Sequence, residues 1–298
     1  MSYLTLDGVD LYYELHGEGP AVVFIHGASG THLSWWQQIA DMRHHFSCLI
    51  YDLRGYGRSR PTGPYDIGDG NNLYRDLRAL VEHVGVGNER LSLVGASLGT
   101  APALHYAMEH QAQIDRLVLV CGTGGVSTPV TNAGWQQRFD RMTARQKNLS
   151  AGQPKLGGEG RLARVPPIRS EGELERFAVA YHPYGPVGAT MHMDQPALTF
   201  LYAEIMANAG GPPTVETLPC FKSRPVTAEE AANVKFPVLV VGGSDDPLFP
   251  TSELEAAAKI FPNGRLNLFK GAGHLAYYEK ANRFNDLLRD FLECGHQD

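Results

Sequence analysis

The chain has 298 residues, with 26 Lys and Arg against 32 Asp and Glu, a formal charge of −6. With 43% hydrophobic and 19% charged residues it is too apolar and too weakly charged for a disordered chain, and its 33 glycines, lacking a strict period, exclude collagen. Four scattered cysteines (Cys48, Cys121, Cys220 and Cys294) match neither a disulfide framework nor paired zinc spacing, and the mildly acidic balance without basic clusters argues against nucleic acid.

The N-terminus, from Met1 to Asp7, has no basic segment leading into an apolar one, so no secretory signal is expected. Apolar runs such as Val22–Ile25 are strand-sized, well short of the ~18–20 residues of a membrane helix. A cytoplasmic, globular enzyme is the expectation, and length alone suggests two domains of ~150 residues. Tyr3–Asp7 and Asp10–Leu15, separated around Gly8, predict an antiparallel hairpin at a sheet edge. Further strands are predicted over Ala21–Ile25, Phe46–Tyr51, Leu91–Val94 and Arg116–Val120. Helices are predicted over Trp35–Arg43, Leu73–Val84 and Leu98–His110. This rhythm reads as an α/β fold: a mostly parallel sheet covered on both faces.

The rhythm stops between Gly122 and Asn233, a stretch that holds 11 of the 19 prolines and no apolar strand run. Proline at that density limits helix length, so short helices are predicted over Trp135–Lys147, Glu171–Ala180 and Pro196–Ala209. Over a hundred structureless residues would be unusual in a compact domain, so an inserted helical subdomain is expected at 122–233. The core would then be 1–121 joined to 234–298. Strand Val238–Val241, helix Ser252–Ile260, strand Leu266–Phe269 and helix Glu279–Cys294 restore the earlier rhythm.

Gly95-Ala96-Ser97-Leu98-Gly99 stands between a predicted strand and a predicted helix. This is the G-x-S-x-G pattern in the strand–turn–helix setting its chemistry needs. Glycines on either side let a tight turn lift the Ser97 hydroxyl clear of the sheet at a helix N-terminus. A serine nucleophile needs a base. Of twelve histidines, His274 follows a strand in Gly271-Ala272-Gly273-His274. An acid to orient it is offered by Asp245 and Asp246, both just past Val238–Val241. The order is therefore Ser, Asp, His, as G-x-S-x-G hydrolases have it. The amides of Ala28 and Leu98 are the candidate oxyanion donors, and His26 is expected to order its loop rather than react.

These residues together resemble the α/β-hydrolase superfamily. The likeness runs through His26-Gly27, Asp52–Ser59, the turn at Ser97, Gly243-Ser244-Asp245-Asp246-Pro247 and Gly273-His274. It implies an eight-stranded, mostly parallel sheet with flanking helices and an inserted helical cap. The family's G-x-x-D-P pattern, with a further proline three residues on, fits Gly243, Asp246, Pro247 and Pro250, and so favours Asp246 as the acid. Dehalogenases and epoxide hydrolases of this fold carry aspartate where Ser97 stands. Ring-fission C–C hydrolases commonly carry Trp where Leu275 stands, and the His-Gly-Gly-Pro-Gly of prolyl aminopeptidases is absent.

The expectation is a serine hydrolase acting on a carboxylic ester or lactone. The alternatives are a C–C hydrolase, a lyase or cyclase, or a ligand receptor on the same fold. No cofactor or metal is expected. The expected partner is a small-molecule substrate, with neither nucleic acid nor membrane; a homo-oligomer stays open. Candidate substrate contacts are Trp35, Trp36, Tyr181, Tyr184, Met191 and Phe200, and Asp52–Ser59 is expected to be a structural turn.

Overall fold

A computed structural model describes residues 2–6, 8–28, 30–62, 72–86, 90–150, 191–210 and 224–294. Tyr181, Tyr184 and the helix expected over 171–180 lie outside them. The first strands, β1 (Ser2–Leu6) and β2 (Val9–His16), pair antiparallel with Leu6 opposite Val9. Gly8 takes a positive φ of 74°, which the two-residue hairpin requires. Next come β3 (Ala21–Ile25), α1 (Trp36–Met42), β4 (Ser47–Tyr51), the two-residue β5 (Arg60–Pro61) and α2 (Asn72–Val84). Then follow β6 (Leu91–Ala96), α3 (Thr100–Glu109) and β7 (Ile114–Val120).

Beyond β7 lie β8 (Val126–Ser127), α4 (Pro129–Ser150), helices Met191–Asp194 and Pro196–Ala207, β9 (Val226–Thr227) and the short helix Ala228–Ala232. The core rhythm returns with β10 (Val238–Gly243), helix Thr251–Ile260, β11 (Gly264–Phe269), and helices Ala276–Glu279 and Ala281–Glu293. Eight strands form one sheet in the order β1-β2-β4-β3-β6-β7-β10-β11, with β5 beside β2. All pairings from β4 through β3, β6, β7 and β10 to β11 are parallel.

Both β6 and β10 are buried along their whole length, as continuous apolar runs predict for strands covered on two sides. One face packs on Leu73, Leu77, Leu80 and Val81 of α2; the other packs on Phe284, Leu288, Phe291 and Leu292 of the last helix. In both helices the spacing i, i+4, i+7, i+8 makes one apolar stripe. Each such side chain contributes ~1.5–3 kcal/mol by leaving water.

Helix α4 runs 22 residues, from Pro129 rather than Trp135, where only a short helix was expected, because Pro129 sits at its first position and does not interrupt it. Three further features differ from the sequence reading. The stretch after β7 contains a strand pair, β8 with β9, parallel, Val126 opposite Val226. Two residues per strand are too few to show an alternating pattern. The helix expected from Leu98 opens as a single 3-10 turn, Ser97–Gly99, because Ser97 itself has a φ of 48°. The last expected helix is interrupted at Lys280 (φ −121°, ψ 43°), so Glu279 closes a four-residue helix instead of opening the long one.

Candidate active site

The register aligns the carboxyl ends of five parallel strands. Ile25 of β3 faces Gly95 of β6, Ala96 faces Val120 of β7, Val120 faces Val241 of β10, and Gly243 faces Phe269 of β11. The chain leaves β3 toward β4 on one side, while β6 lies on the other. Strand order therefore reverses between β3 and β6, and open α/β sheets place their ligands beyond the strand ends at such a reversal. The segments entering that edge include His26–Ala28, Ser97, Cys121, Ser244–Asp246 and Lys270–His274.

Ser97 is held in left-handed backbone, a strained conformation for a residue with a side chain. The close packing around it explains the two glycines. A Cβ on Gly95 would strike the carbonyl of Gly99, and one on Gly99 would strike the carbonyls of Ile25 and His26. Thr100 adds a tie that the sequence did not reveal: its hydroxyl donates to the Ser97 carbonyl at 2.6 Å and accepts the Gly124 amide at 3.2 Å.

His274 lies between Ser97 and Asp246. Its Nδ1 is 2.9 Å from Asp246 Oδ2 and its Nε2 3.0 Å from Ser97 Oγ. The carboxylate can only accept, so Nδ1 carries the proton and Nε2 is free to accept from the serine hydroxyl. Asp246 is buried, and its other oxygen accepts the amides of Leu248 and Phe249 at 2.8 and 3.0 Å. Asp245 is exposed and accepts the Ser244 hydroxyl instead, so of the two aspartates only Asp246 faces the imidazole. Phe249 stacks on His274, with centroids 5.8 Å apart and planes 10° apart.

Two buried carboxylates outside this trio brace its loops. Glu279 accepts the Gly273 amide at 3.0 Å and the Leu275 amide at 3.3 Å, gripping the backbone on both sides of His274. Burial raises its pKa, and those amides partly offset the rise. Glu253 forms a bidentate pair with Arg138 of α4, both bonds 2.8 Å. Arg138 also donates to the Leu248 carbonyl at 2.7 Å and lies 4.0 Å over the Phe249 ring.

His26 is fully buried. Its Nε2 accepts the Leu53 amide at 2.9 Å, so Nδ1 is the protonated nitrogen and donates to the Gly27 carbonyl at 2.7 Å. Burial lowers its pKa and keeps it neutral. Asp52 accepts from His32 and from the Arg58 amide, and the Ser59 hydroxyl donates to the Asp52 carbonyl. That stretch is a bonded structural turn. A Cβ on Gly27 would stand 3.1 Å from Ser97 Cβ, so the loop carrying Ala28 abuts the serine. Leu98, next to Ser97, is the middle residue of the 3-10 turn Ser97–Gly99.

The expected substrate contacts are scattered. Trp35 is buried against Phe24 and Tyr277, centroids 5.3 and 4.5 Å away, and Met191 is buried in the same cluster. Their side chains fill the core. Trp36 and Phe200 are exposed to solvent.

A family model for the alpha/beta hydrolase fold matches residues 20–281. The chain therefore belongs to the α/β-hydrolase family. A proline iminopeptidase of Saccharolobus solfataricus is 24% identical over 298 residues, covering 98% of this chain and 91% of the relative. Among solved structures, a thermophilic esterase from Thermogutta terrifontis aligns with a TM-score of 0.75 at 18% identity, covering 98% of both chains. The enol-lactonase from Burkholderia xenovorans LB400 aligns at 0.70 and 22% identity, over 98% of this chain and 99% of that one. At those identities the structural likeness speaks for the fold. Among the described residues, no helix is long and apolar enough to cross a membrane.

Proposed function

We propose that the protein is a serine hydrolase that cleaves a carboxylic ester or lactone of a small molecule through an acyl-serine intermediate. The observation that carries this reading is the unbroken relay Asp246–His274–Ser97, with contacts of 2.9 and 3.0 Å at the carboxyl edge of the sheet. His274 Nε2 takes the hydroxyl proton as Ser97 Oγ attacks the carbonyl carbon. Asp246 holds the productive tautomer and stabilises the imidazolium. The Ala28 and Leu98 amides receive the oxyanion; the approach of Gly27 to Ser97 and the place of Leu98 in the first helical turn support that role. His274 then protonates the leaving alcohol, and finally deprotonates the water that releases the acid.

We propose residues 122–233 as a cap over this site, inserted between β7 and β10, with α4 reaching the acid loop through Arg138. The similar esterase and lactonase structures fit an ester or lactone substrate, although they establish only the fold.

The test is a fluorophosphonate label followed by peptide mapping, together with turnover of a panel of p-nitrophenyl esters and lactones. Labelling is expected at Ser97, and Ser97→Ala should lower kcat by roughly 10⁶-fold, leaving only catalysis from binding and the oxyanion donors. Labelling at another residue, or near-full turnover by Ser97→Ala, would refute the reading.

A further inference from the structure

Cys121 follows β7 at the catalytic edge and takes no part in the relay. It is wholly buried and, besides Ser97, is the one non-glycine among the described residues with a positive φ, 50°. Its Sγ, a carboxylate oxygen of Asp246 and a ring nitrogen of His274 all lie within 4.8 Å of one another. We propose that these three side chains form an inhibitory site for a borderline-soft divalent cation such as Zn²⁺ or Cd²⁺, which silences the relay by claiming its imidazole.

Thiolate, imidazole and carboxylate are the donor set such ions favour. In a tetrahedral zinc site, donors lying ~2.0–2.3 Å from the metal stand about 3.6 Å apart. The three atoms here lie within 4.8 Å of one another, so small shifts reach that spacing. Asp246 Oδ2 and His274 Nδ1, at 2.9 Å, need to part slightly, and the sulfur needs to approach. The other carboxylate oxygen can keep its bonds to Leu248 and Phe249. The nitrogen facing Asp246 is Nδ1, so an ion between carboxylate and sulfur takes Nδ1.

Protons and charge balance. The thiol loses its proton to solvent, and the Nδ1 proton is replaced by one on Nε2, so the ring stays neutral. A 2+ ion with one thiolate and one carboxylate leaves no net charge, which limits the cost of burying the site. The tautomer that results carries N–H toward Ser97 and cannot act as its base. Without an ion, burial and the nearby Asp246 carboxylate hold the Cys121 thiol well above its ordinary pKa, so the relay operates beside a neutral thiol.

Inhibition rests on the serine-hydrolase reading, but binding does not, and the two are separated by following Cd²⁺ through its thiolate charge-transfer absorption in the ultraviolet. One Cd²⁺ per chain should produce the band in the native protein, and Cys121→Ala and Cys121→Ser should lack it. His274→Ala should weaken binding by at least about tenfold, as loss of a ligand requires. In parallel, Zn²⁺ should inhibit p-nitrophenyl acetate hydrolysis reversibly with EDTA. Cys121→Ala should retain metal-free turnover while needing ~10²-fold more zinc. A band that persists in Cys121→Ala, unchanged Cd²⁺ affinity in His274→Ala, or equal zinc inhibition of the native protein and Cys121→Ala would overturn the proposal. A Cys121-dependent band in a protein that hydrolyses no ester would leave the site standing and refute the hydrolase reading alone.

Discussion

Asp245 and Asp246 are chemically identical neighbours, yet only one is buried with an oxygen aimed at the imidazole. In the proposed mechanism, Asp246→Asn should lower kcat by about 10⁴-fold, because an amide can donate to Nδ1 and so favours the wrong tautomer. Asp245→Asn should leave kcat within about a factor of three, since a single exposed hydrogen bond contributes little more than 0.5 kcal/mol. Steady-state kinetics on both variants decide the matter, and a crippled Asp245→Asn would reassign the acid. At this scale the sequence was legible where chemistry leaves a local pattern, as around Ser97 and His274. Thr100 and Glu279 were not legible, because their roles are bonds to backbone groups. Those partners, the Ser97 carbonyl and the amides beside His274, become visible only once the turns have closed. Cys121 meets Asp246 and His274 from a third loop, so no linear spacing could reveal the cluster.

The elements themselves followed from period and punctuation. Both long amphipathic helices and every long strand were readable, because their apolar positions repeat over two or more turns or fill a whole buried run. Misreadings fell where tertiary contacts override local preference, at the 3-10 opening of Ser97 and the break at Lys280, and where strands are too short to show a pattern, in β8–β9. Helix α4 was expected over Trp135–Lys147 and runs from Pro129 to Ser150, and its most consequential contact was hidden. Arg138 links it to Glu253 and to the Leu248 carbonyl, 115 and 110 residues away in sequence. Both charges of this pair are buried. Arg138→Met should therefore cost about 3–5 kcal/mol, because it strands a buried Glu253 carboxylate. Arg138→Met combined with Glu253→Leu should recover most of that loss. Chemical denaturation of the single and double variants measures it, and equal destabilisation in both would show that the buried charge is not the cause. The same substitution frees the acid loop, so kcat for the proposed reaction should fall further than a distant core substitution of equal cost would cause.

Across the whole molecule, the site exists because a parallel sheet brings the carboxyl ends of β3, β6, β7, β10 and β11 to one edge, although the segments that follow them come from positions 26 to 274. The alternation of strands and helices made that edge predictable. How the interior tolerates ionisable groups was not predictable, since twelve histidines look alike in sequence. His26 is the case with a consequence for the entire fold. It is buried neutral beneath the loop next to Ser97, bonded on both nitrogens, beside Asp52, His32 and the Tyr56 ring. Burial lowers its folded pKa below the ordinary value of 6.5, so below that pH the unfolded chain binds a proton that the native state refuses. Stability should therefore be fully present above about pH 6.5, fall as pH drops below it, and level off beneath the folded pKa. Asp52 acts in the same direction, below its own ordinary value: burial alone would raise its pKa, but the bonds from His32 and the Arg58 amide lower it overall. His26→Gln retains an acceptor for the Leu53 amide but has no proton to gain. Its Tm should be lower than that of the native protein at pH 8 and should decline less steeply between pH 6.5 and 5. Thermal unfolding of both proteins across that range is the measurement, and parallel curves would mean that His26 does not drive the acid sensitivity.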